Sequence, residues 1–308
     1  MTAACGGKTA SEPDSGGGAT SSYPQPATGS ESLSQGVDRL NAYRTLAQLD
    51  AVVVDDAISQ ACAGHLQYLV AEAELTGTEG CLLTHSEDNH ANPYYAPANE
   101  RAGMGALIAC VPPASGGLHL SRAVDRWIGS LYHRIPLLSP GLLTVGAAEY
   151  GGYVCLNFQQ GTAEVSEVRL VTWPSGGMGD VPTDFPGRES PCPTTPSDPG
   201  GTAADQCPAS GFILTATWYG PTGSGLFSQV NSAGITDGST GTALGVLALY
   251  ASGLTGSDPV PGAMPHTLAL IPDASLPTGS LVRVESNVVI DGVERAASWE
   301  FTTGSRME

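Results

Sequence analysis

Apolar positions along this chain change their spacing twice, and each change marks a different kind of structure. From Gly36 onward, Val37, Leu40, Tyr43 and Ala47 recur at helical spacing. Asp55 or Asp56 is a suitable N-cap for a second helix, in which Ile58, Ala61, Cys62, His65, Leu66 and Leu69 line one face before Gly77 ends it. The stretch from Gly77 to Pro97 has Asn89, Asn92 and Pro93 and no apolar period, so a loop is expected. An apolar run, Ala106 to Val111, stops at Pro112-Pro113. Ser121 is placed to cap a third helix with Val124, Trp127, Ile128 and Leu131 on one face, ending at Tyr132-His133-Arg134. Leu143–Ala148 and Tyr153–Phe158 read as two strands joined across Gly151-Gly152, and Val165–Trp173 as another.

After Trp173 the period is lost. Pro174 to Pro208 is rich in Pro and Gly and reads as a linker. Beyond it the pattern is all β, with strands expected at Phe212–Tyr219, Leu244–Tyr250, His266–Ile271, Leu281–Val289 and Ala297–Thr302. Asp291-Gly292 is a hairpin turn signal, because both central positions of that turn need positive φ. Short strands at this spacing suggest a sandwich. At the other end, Gly6 to about Gln35 carries almost no large apolar residue, too few to fold, and reads as a tether. The expected layout is a disordered tether over 1–35, a globular domain over 36–172, a linker over 173–208 and a β-sandwich over 209–305.

Composition narrows the function. Of 308 residues, 40 are Gly and 23 Pro, a share that fits the tether, linker and turns. The net charge is −18, and Lys8 is the sole lysine, so the positive footprint that nucleic-acid binding needs is missing. No run of apolar residues is long enough to span a membrane. The seven cysteines include no CxxC pair, against the usual zinc-finger and thioredoxin patterns. Cys5 follows Thr2-Ala3-Ala4, which resembles the end of a bacterial lipoprotein signal, so Cys5 is the candidate lipidation site and a lipid anchor at the cell envelope is expected. The other six, Cys62, Cys81, Cys110, Cys155, Cys192 and Cys207, are an even set compatible with three disulfides in an oxidising compartment. Pairing each with its neighbour in fold order gives 62–81, 110–155 and 192–207, one of fifteen possible schemes. The last would close a loop worth roughly 3 kcal/mol in chain entropy.

Several ordered pieces resemble the CAP superfamily, the SCP-like domains of cysteine-rich secretory, antigen 5 and pathogenesis-related proteins, in their bacterial form. They are Leu40-Asn41-Ala42-Tyr43-Arg44, Asp55 and its helix through His65, Thr84-His85, Glu100, Trp127-x-x-Ser130-x-x-His133-Arg134, Val145-Gly146-Ala147 and Tyr153 to Phe158. The resemblance implies an α+β fold: an α-β-α sandwich over about 36–172 with a cleft where two histidines and two acids meet, in some members around a divalent metal. Matching positions give His85, His133 and Glu100. The second acid falls where this chain has Ser130. The Trp173-Pro174 start, Gly187-Arg188-Glu189-Ser190-Pro191 and Trp299 to Thr303 more loosely resemble the proline-rich join and immunoglobulin-like sandwich of some bacterial surface proteins.

Two imidazoles and a carboxylate make a competent zinc-type ligand set with water in the fourth position. Glu87, Asp88 and His90 share the loop with His85 and are secondary candidates for the cleft, whereas His65 and His119 fit structural roles. Ser130 and His133 lie one helical turn apart, but no GxSxG supplies the context for a serine nucleophile. The leading expectation is a secreted or surface-anchored, non-catalytic binding protein whose cleft, formed by His85, Glu100, Ser130 and His133, takes a small apolar ligand, a peptide or a divalent metal. The competing expectations are a metal-assisted extracellular peptidase, with zinc or another divalent ion held by His85, His133 and Glu100, and a structural, adhesin-like envelope component.

Overall fold

A computed structural model describes residues 21–27, 32–185, 187, 189, 192–193, 207–221, 227–250 and 266–304. Cys5, with the anchor expected there, lies outside the described residues.

Helix α1 spans Leu33–Leu46 and opens with Ser32 and Gln35 satisfying each other's backbone N–H groups. A two-residue strand β1, Val53–Val54, leads into α2, Asp56–Thr76. As expected, Asp55 caps α2 through the Ile58 N–H at 3.0 Å, and Gly77 ends it in the left-handed conformation at φ 65°. A short helix α3, Pro97–Met104, has no apolar stripe and left no period in the sequence. Then come β2, Ala106–Cys110, and α4, Leu120–Gly129. Ser121 does not cap α4. The first N–H, on Leu120, is taken instead by the Glu149 carboxylate at 2.7 Å. Nor does this helix run to Arg134: it ends at Gly129, and a separate turn, α5, covers Arg134–Leu137.

Strands β3, Thr144–Tyr150, and β4, Tyr153–Asn157, form the hairpin expected across Gly151-Gly152, whose φ values of 59° and 86° suit that tight turn. The sheet runs β1-β3-β4-β2, with one parallel pair, β1 and β3. Alternation places Val154 and Leu156 of β4 against α1 and α4, and Tyr153 and Cys155 against Cys62, Leu66 and Leu69 of α2. The layers are therefore helices, sheet, helix. Gly146 of β3 lies so close to Ile58 of α2 that any Cβ would collide with it.

The disulfides follow this layering rather than sequence order. Cys62 of α2 bonds to Cys155 of β4 beneath it, and Cys81 of the following loop bonds to Cys110 of β2. The local pairings 62–81 and 110–155 are thus corrected: α2 presents Cys62 to the sheet it covers, not to the loop beyond its end. Cys192–Cys207 pairs as expected.

The second region has two antiparallel four-stranded sheets, β5-β6-β10-β9 and β12-β11-β7-β8. Their strands are β5 Arg169–Trp173, β6 Leu214–Tyr219, β7 Phe227–Asp237, β8 Thr242–Leu244, β9 Val246–Tyr250, β10 Thr267–Pro272, β11 Leu281–Ile290 and β12 Val293–Thr302. The β11–β12 turn is Asp291-Gly292, with both φ positive as its sequence requires. Strand β7 is rich in Ser, Gln, Asn and Gly, so it left no apolar pattern to read. Strand β5 pairs with β6, in the second region, not with the first sheet.

The two regions share one apolar cluster. Tyr23 lies at the seam, its ring within 5.6–5.9 Å of the Tyr43, Trp173 and Phe212 rings. Residues 21–27, expected as tether, instead dock here: Tyr23 N–H donates to Gly179 O at 2.7 Å and Ala27 N–H to Asp125 at 2.7 Å. Met178, Val181 and Phe185, within the expected linker, are buried as well. No helix among the described residues is long and apolar enough to cross a membrane.

Arg44 of α1 is fully buried and donates to the carbonyls of Asp50, Leu137, Ser139 and Leu142 at 2.7–3.0 Å. Burial pulls its pKa down to about 10. Arg44→Met should cost about 3–5 kcal/mol in urea unfolding, because four acceptors lose their donor. A loss under about 1 kcal/mol would show that water replaces the guanidinium. Non-reducing peptide mapping should recover a Cys62–Cys155 crosslinked pair; a Cys62–Cys81 peptide would contradict the layering.

Candidate functional site

A cavity of about 300 Å³ opens between the His85 loop, β2 and the corner joining α4 to α5. Leu83, Ile108, Ala109 and Trp127 give it apolar walls, and Thr84, His85, Arg126, Ser130, His133 and Glu189 give it polar groups. The two histidines, more than 40 residues apart in sequence, are therefore neighbours on one cavity.

The loop that carries His85 is held from beneath by α2. His65 and Glu87 are completely buried and face each other at 2.9 Å, Nδ1 to Oε1. The other ring nitrogen of His65 meets the Thr84 carbonyl at 3.1 Å, and the second Glu87 oxygen accepts the Ala96 N–H at 3.1 Å. A carbonyl only accepts, so His65 Nε2 carries a proton, and one further proton lies between Nδ1 and the carboxylate. Gly103 presses its backbone against the His65 ring, leaving no room for a Cβ. Asn89 N–H donates to Tyr68 and Leu82 N–H to Tyr153, and Cys81–Cys110 ties the loop to β2. Glu87 thus anchors the loop and does not line the cleft. Asp88 accepts from Ser86, and the His90 ring stacks on Tyr95 at 4.1 Å.

His85 meets the Gly103 carbonyl through Nδ1 at 2.9 Å. That acceptor requires an Nδ1 proton, so the neutral ring has its lone pair on Nε2. His133 reaches the same state by another route. Ser130 donates its hydroxyl to Trp127 O at 2.9 Å, so its oxygen accepts from His133 Nδ1 at 3.1 Å, and Glu189 accepts from the same nitrogen at 3.0 Å. In the neutral form both rings therefore offer Nε2 as an acceptor, and no protein group among the described residues bonds to either. Ser130 is not activated for attack, since its proton is committed to a carbonyl and the nitrogen it faces is protonated.

Glu100 lies in the first turn of α3 and is not among the cavity's lining residues; its charge is felt by Glu87. The carboxylate at the cavity is Glu189, which sequence reasoning missed as a site residue. It sits in the Pro- and Gly-rich stretch, 56 residues after His133, and nothing in its neighbourhood marks it as functional. Among the described residues no three His, Cys, Asp or Glu side chains are arranged to hold a metal ion. The His85, Glu100 and His133 set does not assemble, and both Glu189 oxygens are already taken by N–H donors. The residues present do not fit a three-ligand zinc site.

Burial raises the Glu87 carboxyl above its ordinary 4.5, against the pull of His65 and the Ala96 N–H. The folded protein therefore holds this proton to higher pH than the unfolded chain. The resulting stabilisation is complete below about pH 4.5 and is lost as pH rises through the raised value. Glu87→Gln keeps the neutral geometry and removes the titration. Urea unfolding from about pH 4 to 7 should show wild-type stability falling relative to the variant. Parallel curves would refute the shift.

Residues 37–156 match the CAP family, the cysteine-rich secretory protein family. No curated protein matches the chain. A crystal structure of an extracellular protein containing a SCP domain, from Bacillus anthracis, is similar at 18% identity with a TM-score of 0.31. The match covers 41% of this chain and 39% of that one, so this chain spans well under half of that protein's length. Order of motifs, helix-sheet-helix layering and family match agree on one statement: residues 37–156 form a CAP domain, followed by a β-rich region of antiparallel sheets.

Proposed function

We propose that this is an extracellular binding protein whose CAP-domain cavity takes a small, largely apolar ligand bearing a hydrogen-bond donor. The observation that carries the reading is the pair of Nε2 acceptors, on His85 and His133, fixed on one apolar-walled cavity. A volume near 300 Å³ is at the lower end for ligand pockets, which favours a small molecule over a folded partner. Three disulfides support an oxidising compartment. Hydrolysis is less well supported: the serine hydroxyl is committed, the cavity's carboxylate is occupied by N–H donors, and no three-ligand metal set forms among the described residues. In this reading the two antiparallel sheets are an immunoglobulin-like sandwich that braces the cavity from one side.

Short alkylphenols combine an apolar body with one donor and are suitable probes. A binding probe should raise the melting temperature, since it stabilises only the folded state. His85→Ala with His133→Ala should weaken binding by about 5–100-fold, the equivalent of one or two hydrogen bonds. No shift with any phenol, together with a chelator-sensitive peptidase activity that the double variant abolishes, would replace binding with hydrolysis.

A further inference from the structure

We propose that Glu189, from the second region of the chain, is the positioning residue of the CAP cavity: it locks His133 with Nε2 available to the ligand. The carboxylate that meets His133 comes from a segment more than 50 residues downstream of it. The inference rests on the binding reading above, and its test separates the two.

Four N–H donors converge on the Glu189 carboxylate, which is shielded from solvent. Leu131 N–H reaches Oε2 at 2.6 Å, and Tyr132 N–H reaches Oε1 at 2.6 Å. His133 contributes both its backbone N–H, at 3.4 Å, and its ring Nδ1–H, at 3.0 Å. These are three successive residues of the corner between α4 and α5. One carboxylate therefore fixes the backbone that carries the imidazole and the ring itself. Second partners of this kind hold a histidine in one tautomer and one orientation. Ser130 completes the arrangement, because its own proton goes to Trp127 O and only its oxygen is left for Nδ1–H. Beside Glu189, Ser130 is thus the second acceptor for the His133 ring.

The segment bearing Glu189 is held against this corner. Cys207 N–H donates to Gly187 O at 3.3 Å, and the Cys192–Cys207 disulfide lies three residues beyond Glu189. The bridge closes a loop whose base carries the cavity's carboxylate. The β-rich region consequently contributes to the CAP cavity a group that the domain itself lacks.

Glutamine has one acceptor and one donor at its end, so it cannot take N–H groups on both sides. In the full-length, ¹⁵N-labelled protein, long-range imidazole spectra should show wild-type His133 as the Nδ1–H tautomer. Glu189→Gln should give a mixture of tautomers at His133, leave His85 unchanged, and weaken alkylphenol binding about tenfold. Glu189→Asp, which keeps the charge, should restore part of the tautomer preference. A wild-type His133 that carries its proton on Nε2, or averages between the two, overturns the proposal even if the variant fails to fold. A Glu189→Gln spectrum identical to wild type overturns it too. If the tautomer responds to Glu189 but no phenol binds, the positioning role stands and the binding reading falls. If phenols bind through His133 while its tautomer ignores Glu189, the positioning role falls alone.

Discussion

A guanidinium cut off from water must find carbonyls for its N–H groups, and Arg134 finds them on both sides of the molecule's central seam. It donates to Ile128 O at 2.7 Å in the CAP domain and to Ile213 O at 2.9 Å beside β6, and its charge lies over the Phe212 ring at 5.3 Å. Burial drags its pKa down to about 10, against the opposing pull of Tyr23, Glu189 and Tyr219. A buried charge tolerates no looseness in its acceptors. The corner between α4 and α5 and the start of β6 are therefore tied to each other, and the cavity lies beside that tie.

The rest of the cavity comes from the opposite side of the sheet. Helix α2 sends His65 up into the loop of residues 77–96, where it bonds Thr84 and faces Glu87, on either side of His85. Two disulfides join this helix and loop to β4 and β2. The two cavity histidines are thus mounted on independent supports, one on α2 and its loop, the other on the seam with the β-sheets. Each support ends in the same chemistry, an oxygen acceptor at Nδ1. These two rigid frames present equivalent Nε2 positions across an apolar gap, and the proposed capture of a small ligand rests on that geometry.

The aromatic junction repeats the theme with apolar groups. Tyr23, the one large ring in a run of small polar residues, fills the space between Tyr43, Trp173 and Phe212. Trp173 and Phe212 belong to the second region, Tyr43 to α1. Removing any one face would leave the others exposed, so the two regions and the docked strap of residues 21–27 fold as mutual cover.

Local periodicity was enough to determine a good deal about this protein. The stripe of Cys62, His65, Leu66 and Leu69 with Asp55 and Gly77 at its ends determined α2, and Gly151-Gly152 and Asp291-Gly292 determined two hairpins, because caps and turns depend on residues a few positions apart. The order of short motifs sufficed for the CAP domain and for placing His85 and His133 on one cavity. What only the tertiary structure decided involves partners far apart in the chain. Cys62 bonds to Cys155 because a helix lies over a strand 93 residues later. Ser121 gave way to Glu149 as the cap of α4 because a β-strand brings that carboxylate to the helix end. Glu189 replaced Glu100 as the acid of the cavity, since a buried ring of N–H groups can be met from any segment that folds back onto it, and no spacing along the chain records which one does.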